Sequence, residues 1–366
     1  MPVRYVRVNP VVDMFAPVVR PTGNLAIVGE AANGTDGVPV QVTSPTDATA
    51  RFGGPEVSAL TKALHVAFEQ APGPSQVWGV KAGADVTGAL AAVEDLNVQF
   101  VVVAGTALDA DSGQDDGSIG KLAAHVKAVS QNGDGKERMG VAMLARDSAD
   151  PSVVQGKLAM DRMVYVAHKS ADDVAAAVAA VIAGHGPSVS MVLKPVGVTS
   201  GSFTAAEIDK INGAETDSTP PAGQGVTWLV DPPLLPGAGV HLGEGYTGNP
   251  NGSKYIDVVR TVDDVSFRLK ARLIKAVGTL RISRSGLRSL VLQMDSVLGP
   301  LVADEVIEGY VVTIPLLRLL DADPATLSKE QRGEIDQAQT ERLAQVLVSV
   351  DYAGAMHRIS IDLKFA

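Results

Sequence analysis

The run Val98 to Ala104 (Val-Gln-Phe-Val-Val-Val-Ala) is nearly continuous in apolar side chains. A strand with one face in water alternates apolar and polar residues, so a run like this needs apolar cover on both faces. Segments around it supply that cover. Strands are expected at Asn24 to Val28, Val38 to Thr43, Gln76 to Lys81, Met139 to Ala145, Met163 to His168 and Val189 to Lys194. Helical spacing lies between them: Val57, Leu60, Leu64 and Phe68 on a helix opened by Pro55, and Val86, Leu90 and Val93 on the next. Ile119, Leu122, Val126 and Val129 mark a helix over Ser118 to Ser130. Asp150-Pro151 opens one to about Arg162, Ser170 and Asp173 one ending near Gly184, and Thr204 with Glu207 forms a further capping box. This β-α-β-α order predicts an α/β fold with a largely parallel sheet and helices on both faces.

The pattern changes near residue 214. Gly, Pro, Thr and Asn dominate Glu215 to Ser253, broken by strand-like Gly225 to Val230. Tyr255 to Val277 reads as a long amphipathic helix. A second runs from Ser285 to Leu298, with Leu287, Leu290, Val291, Met294 and Leu298 inward and Gly299 as its stop. Strands Glu308 to Ile314 and Val346 to Tyr352 flank a polar stretch, Asp321 to Glu341. The expected organisation is an α/β domain over 23–230 and an α+β domain over 231–354, with terminal arms at 1–22 and 355–366.

Composition removes several function classes. With no cysteine, disulfide frameworks, zinc-thiolate sites and thiol nucleophiles are excluded. Aromatics are 4% of the 366 residues, too few for a base- or sugar-stacking platform. The 41 acidic and 31 basic residues leave a net charge of −10, which disfavours nucleic acid as a partner. No segment reaches the roughly 18 apolar residues of a membrane span, and the N-terminus lacks a signal-peptide core. The chain therefore reads as a soluble protein made in a cytoplasm, without direct membrane insertion.

Chemical motifs are sparse. There is no G-x-S-x-G, H-E-x-x-H or Walker A sequence. Gly117-Ser-Ile-Gly-Lys121 resembles a phosphate loop but has Leu122 where a magnesium-binding hydroxyl belongs. Asp109 to Gly117 starts like an EF-hand loop, yet Gln114 and Gly120 stand where glycine and a bidentate glutamate are needed. Gly243 to Ser253 opens no helix after a strand and reads as a flexible connector. The histidines at 65, 125, 168, 185, 241 and 357 share no metal-binding spacing. No catalytic residue, cofactor or metal site is assigned.

Two features remain. Val265 to Met294 holds Arg268, Lys270, Arg272, Lys275, Arg281, Arg284 and Arg288 and no acid, a local reversal that suits an acidic partner. Both termini alternate like strands: Val3, Tyr5, Val6 and Val8 at one end, and Ile359, Ile361, Leu363 and Phe365 at the other. Such ends need a sheet edge for their amides, which suggests exchange between subunits onto the strands carrying Tyr310, Val312, Val348 and Val350.

Pro21-Thr-Gly-Asn-Leu-Ala-Ile-Val-Gly29, Val38-Pro-Val-Gln-Val-Thr-Ser44 and Ala50-Arg-Phe-Gly53 resemble the N-terminal region of contractile tail sheath proteins. Tyr255-Ile-Asp-Val-Val-Arg260, the two helices, Glu308-Gly-Tyr-Val-Val312 and the closing strand are similar to their C-terminal half. The chain departs in its Gly/Asn-rich stretch before Tyr255 and has no large insertion. The resemblance implies a structural, non-enzymatic subunit of a virion tail or injection system, assembled in a host cytoplasm. Such subunits stack as a helical homo-oligomer around an inner tube protein, with baseplate and tail terminator proteins as further partners, and shorten without hydrolysing nucleotide. Arms 1–22 and 355–366 would link subunits, and the basic face would meet the tube. An α/β enzyme binding a nucleotide or sugar, or another virion component, is also compatible with the element order.

Overall fold

In the computed structural model, which describes residues 23–215, 221–232, 234, 237 and 239–357, the apolar run lies inside an eight-stranded sheet. The elements of the first half are β1 (Asn24–Gly29), β2 (Pro39–Val42), α1 (Pro45–Phe52), α2 (Ala59–Phe68), β3 (Gln76–Lys81), α3 (Thr87–Val93), β4 (Phe100–Leu108), α4 (Ser118–Gln131), β5 (Met139–Leu144), β6 (Met163–Ala167), α5 (Val174–Gly184), α6 (Ala205–Asn212), β7 (Thr227–Val230) and β8 (His241–Leu242). The strand order is β2-β3-β1-β4-β5-β6-β7-β8. The six central strands are parallel, and β2 and β8 pair antiparallel at the two edges. Of the described residues, 23–263 with 355–357 form one compact unit and 264–354 a second.

Strand alternation explains the layers. Leu25, Ile27, Phe100, Val102, Val141 and Val166 face a core shared with α1, α2 and α5. Ala26, Val28, Val101, Val103, Ala142 and Tyr165 face a second core under α3, α4 and α6. Helix α5 is apolar all round and buried through ten consecutive residues, Val174 to Ala183. Its cap is Asp173, whose carboxylate accepts Ala176 N–H at 2.9 Å and Gly105 N–H at 2.7 Å. Burial pushes that carboxyl above the ordinary aspartate range.

Several expectations fail for local reasons. Pro55 opens only a turn, Val57 is exposed, and Ser58 caps α2 through Thr61 N–H at 3.1 Å. Helix α1, unread in the sequence, is capped by Ser44 and buries only Ala48 and Phe52. Asp150-Pro151 starts a single 3-10 turn, and Gly156 at φ 59° breaks the chain before Arg162. Asp173 alone, without Ser170, caps α5. Val189 to Lys194 is not a strand, because Leu193 at φ 54° turns the backbone. The segment Gly243 to Gly248 is packed instead of flexible: a Cβ on Gly243 would lie 2.3 Å from the Trp228 ring, and one on Gly248 2.7 Å from Tyr165. Glycine is what lets this backbone lie against two aromatic rings.

The second unit begins inside α7 (Ile256–Leu273), where the division at Asp263/Asp264 falls. It contains α8 (Arg284–Ala303), β9 (Ile307–Thr313), α9 (Pro315–Asp321), α10 (Lys329–Glu341) and β10 (Leu347–Tyr352). Helix α8 runs past Gly299 and Pro300 because Leu298 and Leu301 stay buried beneath it. The polar stretch Asp321 to Glu341, for which no element is expected, holds α10, capped by a Ser328–Gln331 box and burying no residue fully.

A candidate intersubunit surface

β9 and β10 form a two-stranded antiparallel sheet with Val348 opposite Val312 and Val350 opposite Tyr310. The four residues expected to receive an arm therefore sit as two cross-strand pairs. All four are partly buried and pack against Val265, Leu298, Leu301 and Ile307. Their side chains form the floor of the sheet, and each strand pairs with a described strand on one side only. A backbone ladder on either outer edge would leave this floor intact. The arm residues Val3, Tyr5, Val6, Val8, Ile359, Ile361, Leu363 and Phe365 lie outside the described residues.

Beside the sheet is an apolar groove of about 380 Å³ between the end of α7, the start of α8 and β10. Leu273, Val277, Leu280, Leu290, Met294 and Val346 line it, with Arg281 at its rim.

The basic stretch is less uniformly charged in space than in sequence. Arg268 pairs with Asp264 one helical turn earlier at 2.8 Å, and Asp264 is buried. Arg284 and Arg288 share Asp321 from α9, at 3.8 and 3.0 Å. Arg284 also donates to the Leu320 carbonyl. Lys270, Lys275 and Arg281 are exposed, and Arg272 is half-buried. Both neutralising acids come from outside the run Val265 to Met294, so the run alone could not show them.

The other motifs are absorbed by the fold. Ile119 and Gly120, in the phosphate-loop-like segment, give their N–H groups to the Ser112 carbonyl at 2.9 Å, and Lys121 pairs with Asp85 at 3.1 Å. Those amides are the groups a phosphate would need. In the EF-hand-like loop, Asp109 accepts Asp111 and Ser112 N–H at 3.0 and 2.8 Å, and these bonds hold its carboxyl below the usual range. Among the described residues no three His, Asp or Glu side chains converge as a metal would require. None of the described helices is long and apolar enough to cross a membrane.

One cluster had no sequence signal because its members are far apart. His357 contacts Glu244 Oε2 through Nδ1 at 3.0 Å and Ser190 Oγ through Nε2 at 2.8 Å, with its ring edge-on to Tyr255. Ser190 is buried and its hydroxyl also accepts Val192 N–H. The cluster fixes residue 357 to the larger unit.

No protein-family model matches the sequence, and no curated protein sequence matches it. Solved structures do. The contracted sheath complex of an extracellular contractile injection system, PVC, superposes with a TM-score of 0.68 at 16% identity, covering 100% of this chain and 96% of that one. The contracted helical sheath of the anti-feeding prophage gives 0.66 at 17%, covering 100% and 98%. The sheath tail protein of Desulfitobacterium hafniense gives 0.57 at 11%, covering 85% and 93%. The chain has the fold of contractile sheath proteins over its whole length, both units included.

Proposed function

We propose that this protein is the sheath subunit of a contractile tail or injection system, polymerising as a helical homo-oligomer around an inner tube. The observation that carries the reading is the extent of the match. It takes in the α/β unit, the β9–β10 unit and nearly all of two contracted sheath subunits. A nucleotide- or sugar-binding enzyme would share the central sheet but has no reason to share the second unit. Similarity to an anti-feeding prophage baseplate structure, with a TM-score of 0.63, supports a baseplate as a neighbouring partner.

In this reading the terminal arms 1–22 and 355–366 add strands to the outer edges of β9 and β10 in neighbouring subunits. Each arm contributes roughly four to six backbone hydrogen bonds at about 1 kcal/mol net apiece. A lattice multiplies this, because every subunit gives and receives. Shortening then draws its work from better packing of subunits, with the arms as hinges. The residues carrying net positive charge outward, Lys275 and Arg281, meet an acidic tube; a tail terminator caps the polymer. The α/β unit supplies lateral contacts.

Negative-stain electron microscopy of the purified protein tests the reading: long tubes are expected, whereas a small closed oligomer at every concentration removes it. Deleting residues 1–20 or 358–366 is expected to abolish tubes while leaving a folded monomer. Tubes of normal length from either deletion would refute the arms. Reversing Lys275 and Arg281 to glutamate is expected to leave free sheath polymers intact and prevent assembly on the tube. Undiminished assembly on the tube excludes that docking face.

A further inference from the structure

Helix α8 carries its charges against its own dipole. An α-helix is partially positive at its N-terminus and favours acids there and bases at its C-terminus. Here the first turn has no acid and the last turn no base. Arg284 and Arg288 stand at the N-terminal end, and Asp304, Glu305 and Glu308 cluster at and just beyond the C-terminal end. Stability of the isolated fold would select the opposite arrangement.

Two further observations point outward from the chain. Arg284, Arg288, Leu292, Ser296, Pro300 and Asp304 form one i, i+4 ridge, and all six are exposed, Leu292 at 68%. Glu305 occupies a left-handed position, φ 55°, directly after the helix, where glycine is the favoured residue. An acid is kept at a place where it costs backbone energy and opposes the dipole. At the basic end a single carboxylate, Asp321, serves two guanidinium groups whose side chains are 55% and 64% exposed. At the acidic end Asp304, Glu305 and Glu308 are exposed and have no ion pair among the described residues.

The two ends are roughly 30 Å apart along the helix, at about 1.5 Å per residue. Opposite charges at opposite ends of one element cannot satisfy each other within the chain. They can between copies, and a contact joining two different patches propagates instead of closing in a pair. We propose that the basic end of α8 in one copy docks on the acidic end of α8, Asp304-Glu305 with Glu308, in the next copy. This rests on the reading of the chain as a polymerising subunit. It divides the basic stretch in two: Arg284 and Arg288 serve contacts between copies, and Lys275 and Arg281 remain for the tube. Contact between charged ends of this kind sets register and association rate, and it weakens with salt.

The test is charge exchange. One variant carries Arg284→Glu and Arg288→Glu, a second Asp304→Lys and Glu305→Lys. Circular dichroism establishes that each is folded; if the first is not, Arg284→Gln with Arg288→Gln replaces it and is read by its own raised threshold alone, because a neutral end gives the lysine variant nothing to attract. Each variant alone is expected to need about tenfold more protein to polymerise, and an equal mixture to return to the wild-type threshold. A chain with all four reversals is expected to polymerise alone. Wild-type thresholds for the separate variants, or no recovery in the mixture and the fourfold chain, overturn the proposal. If the wild type forms no tubes, the polymer reading falls. Sedimentation at low salt then decides the contact: association of the two variants with each other, stronger than either with itself, sustains it, and equal association overturns it.

Discussion

Arg138→Met is expected to remove about 3 kcal/mol or more of the larger unit's stability, in a fold whose whole margin is on the order of 5–15 kcal/mol. Arg138 is 1% exposed, among the most buried side chains present. Its guanidinium donates to the carbonyls of Val93 at 2.9 Å, Glu94 at 3.2 Å and Leu96 at 3.0 Å, and its Nε to Lys136 at 3.2 Å. Those carbonyls are where α3 ends and the chain enters β4, and the last turn of a helix leaves carbonyls without intrahelical partners. The five donors of an arginine, held in a plane, can reach several of them together. Methionine fills the volume but leaves buried acceptors unpaired, each costing roughly 1–3 kcal/mol. Lysine has a compact ammonium that reaches fewer carbonyls, so Arg138→Lys should fall between the two. Urea unfolding of the three proteins gives the comparison. A methionine variant within about 1 kcal/mol of wild type would mean that water takes over the carbonyls and that the arginine is not the cap.

What the sequence made legible divides along physical lines. β1, β5 and β6 were readable to within a residue or so because burial on both faces forces a nearly unbroken apolar run, and turns bound it. The box at Thr204 and Glu207 was readable because both halves of the signal lie three residues apart and both bonds form, Glu207 N–H to the hydroxyl at 3.3 Å and Thr204 N–H to the carboxylate at 2.7 Å. Helix α10 was not, since Lys329–Glu341 buries no residue fully and so has no apolar stripe to read. Helix α1 hid behind its shortness, with only Ala48 and Phe52 inward. The expected helix after Asp150 had a correct start signal and no continuation. The candidate surface shows the same division. The basic run was visible as a string of letters, but Asp264 and Asp321, which neutralise part of it, reach it through a helical turn and through tertiary packing. The His357, Glu244 and Ser190 cluster joins residues 113 and 167 positions apart, and no local pattern reports that.

Acid is expected to destabilise the larger unit between about pH 6.5 and pH 4 through His125. Burial in α4 first, and the neighbouring Arg138 second, push the imidazole down to about 4. Arg138 Nη1 lies 3.4 Å from Nε2, so in the folded protein that nitrogen accepts and the ring is neutral. Above about pH 6.5 the ring is neutral in both folded and unfolded chains and contributes no pH dependence. Below that, the unfolded chain binds a proton that the folded chain refuses until about pH 4. Stability then falls with pH, since the unfolded state holds more protons. The slope approaches about 1.4 kcal/mol per unit, and the loss by pH 4 is on the order of 2–3 kcal/mol, reduced by the part of the ring that water reaches. His168 adds in the same direction: burial lowers it, while its Nε2–H donates to the Leu144 carbonyl and its Nδ1 accepts Ser170 N–H. Paired carboxylates also lose stability in acid, so the informative quantity is a difference. His125→Gln keeps an acceptor for Arg138 and cannot titrate. Its urea midpoint should decline less steeply than wild type from pH 6.5 to 4.5, and the two curves should run parallel above pH 7. Equal slopes through the acid window would show that His125 stays accessible to protons in the folded state and that the loss lies with the carboxylates.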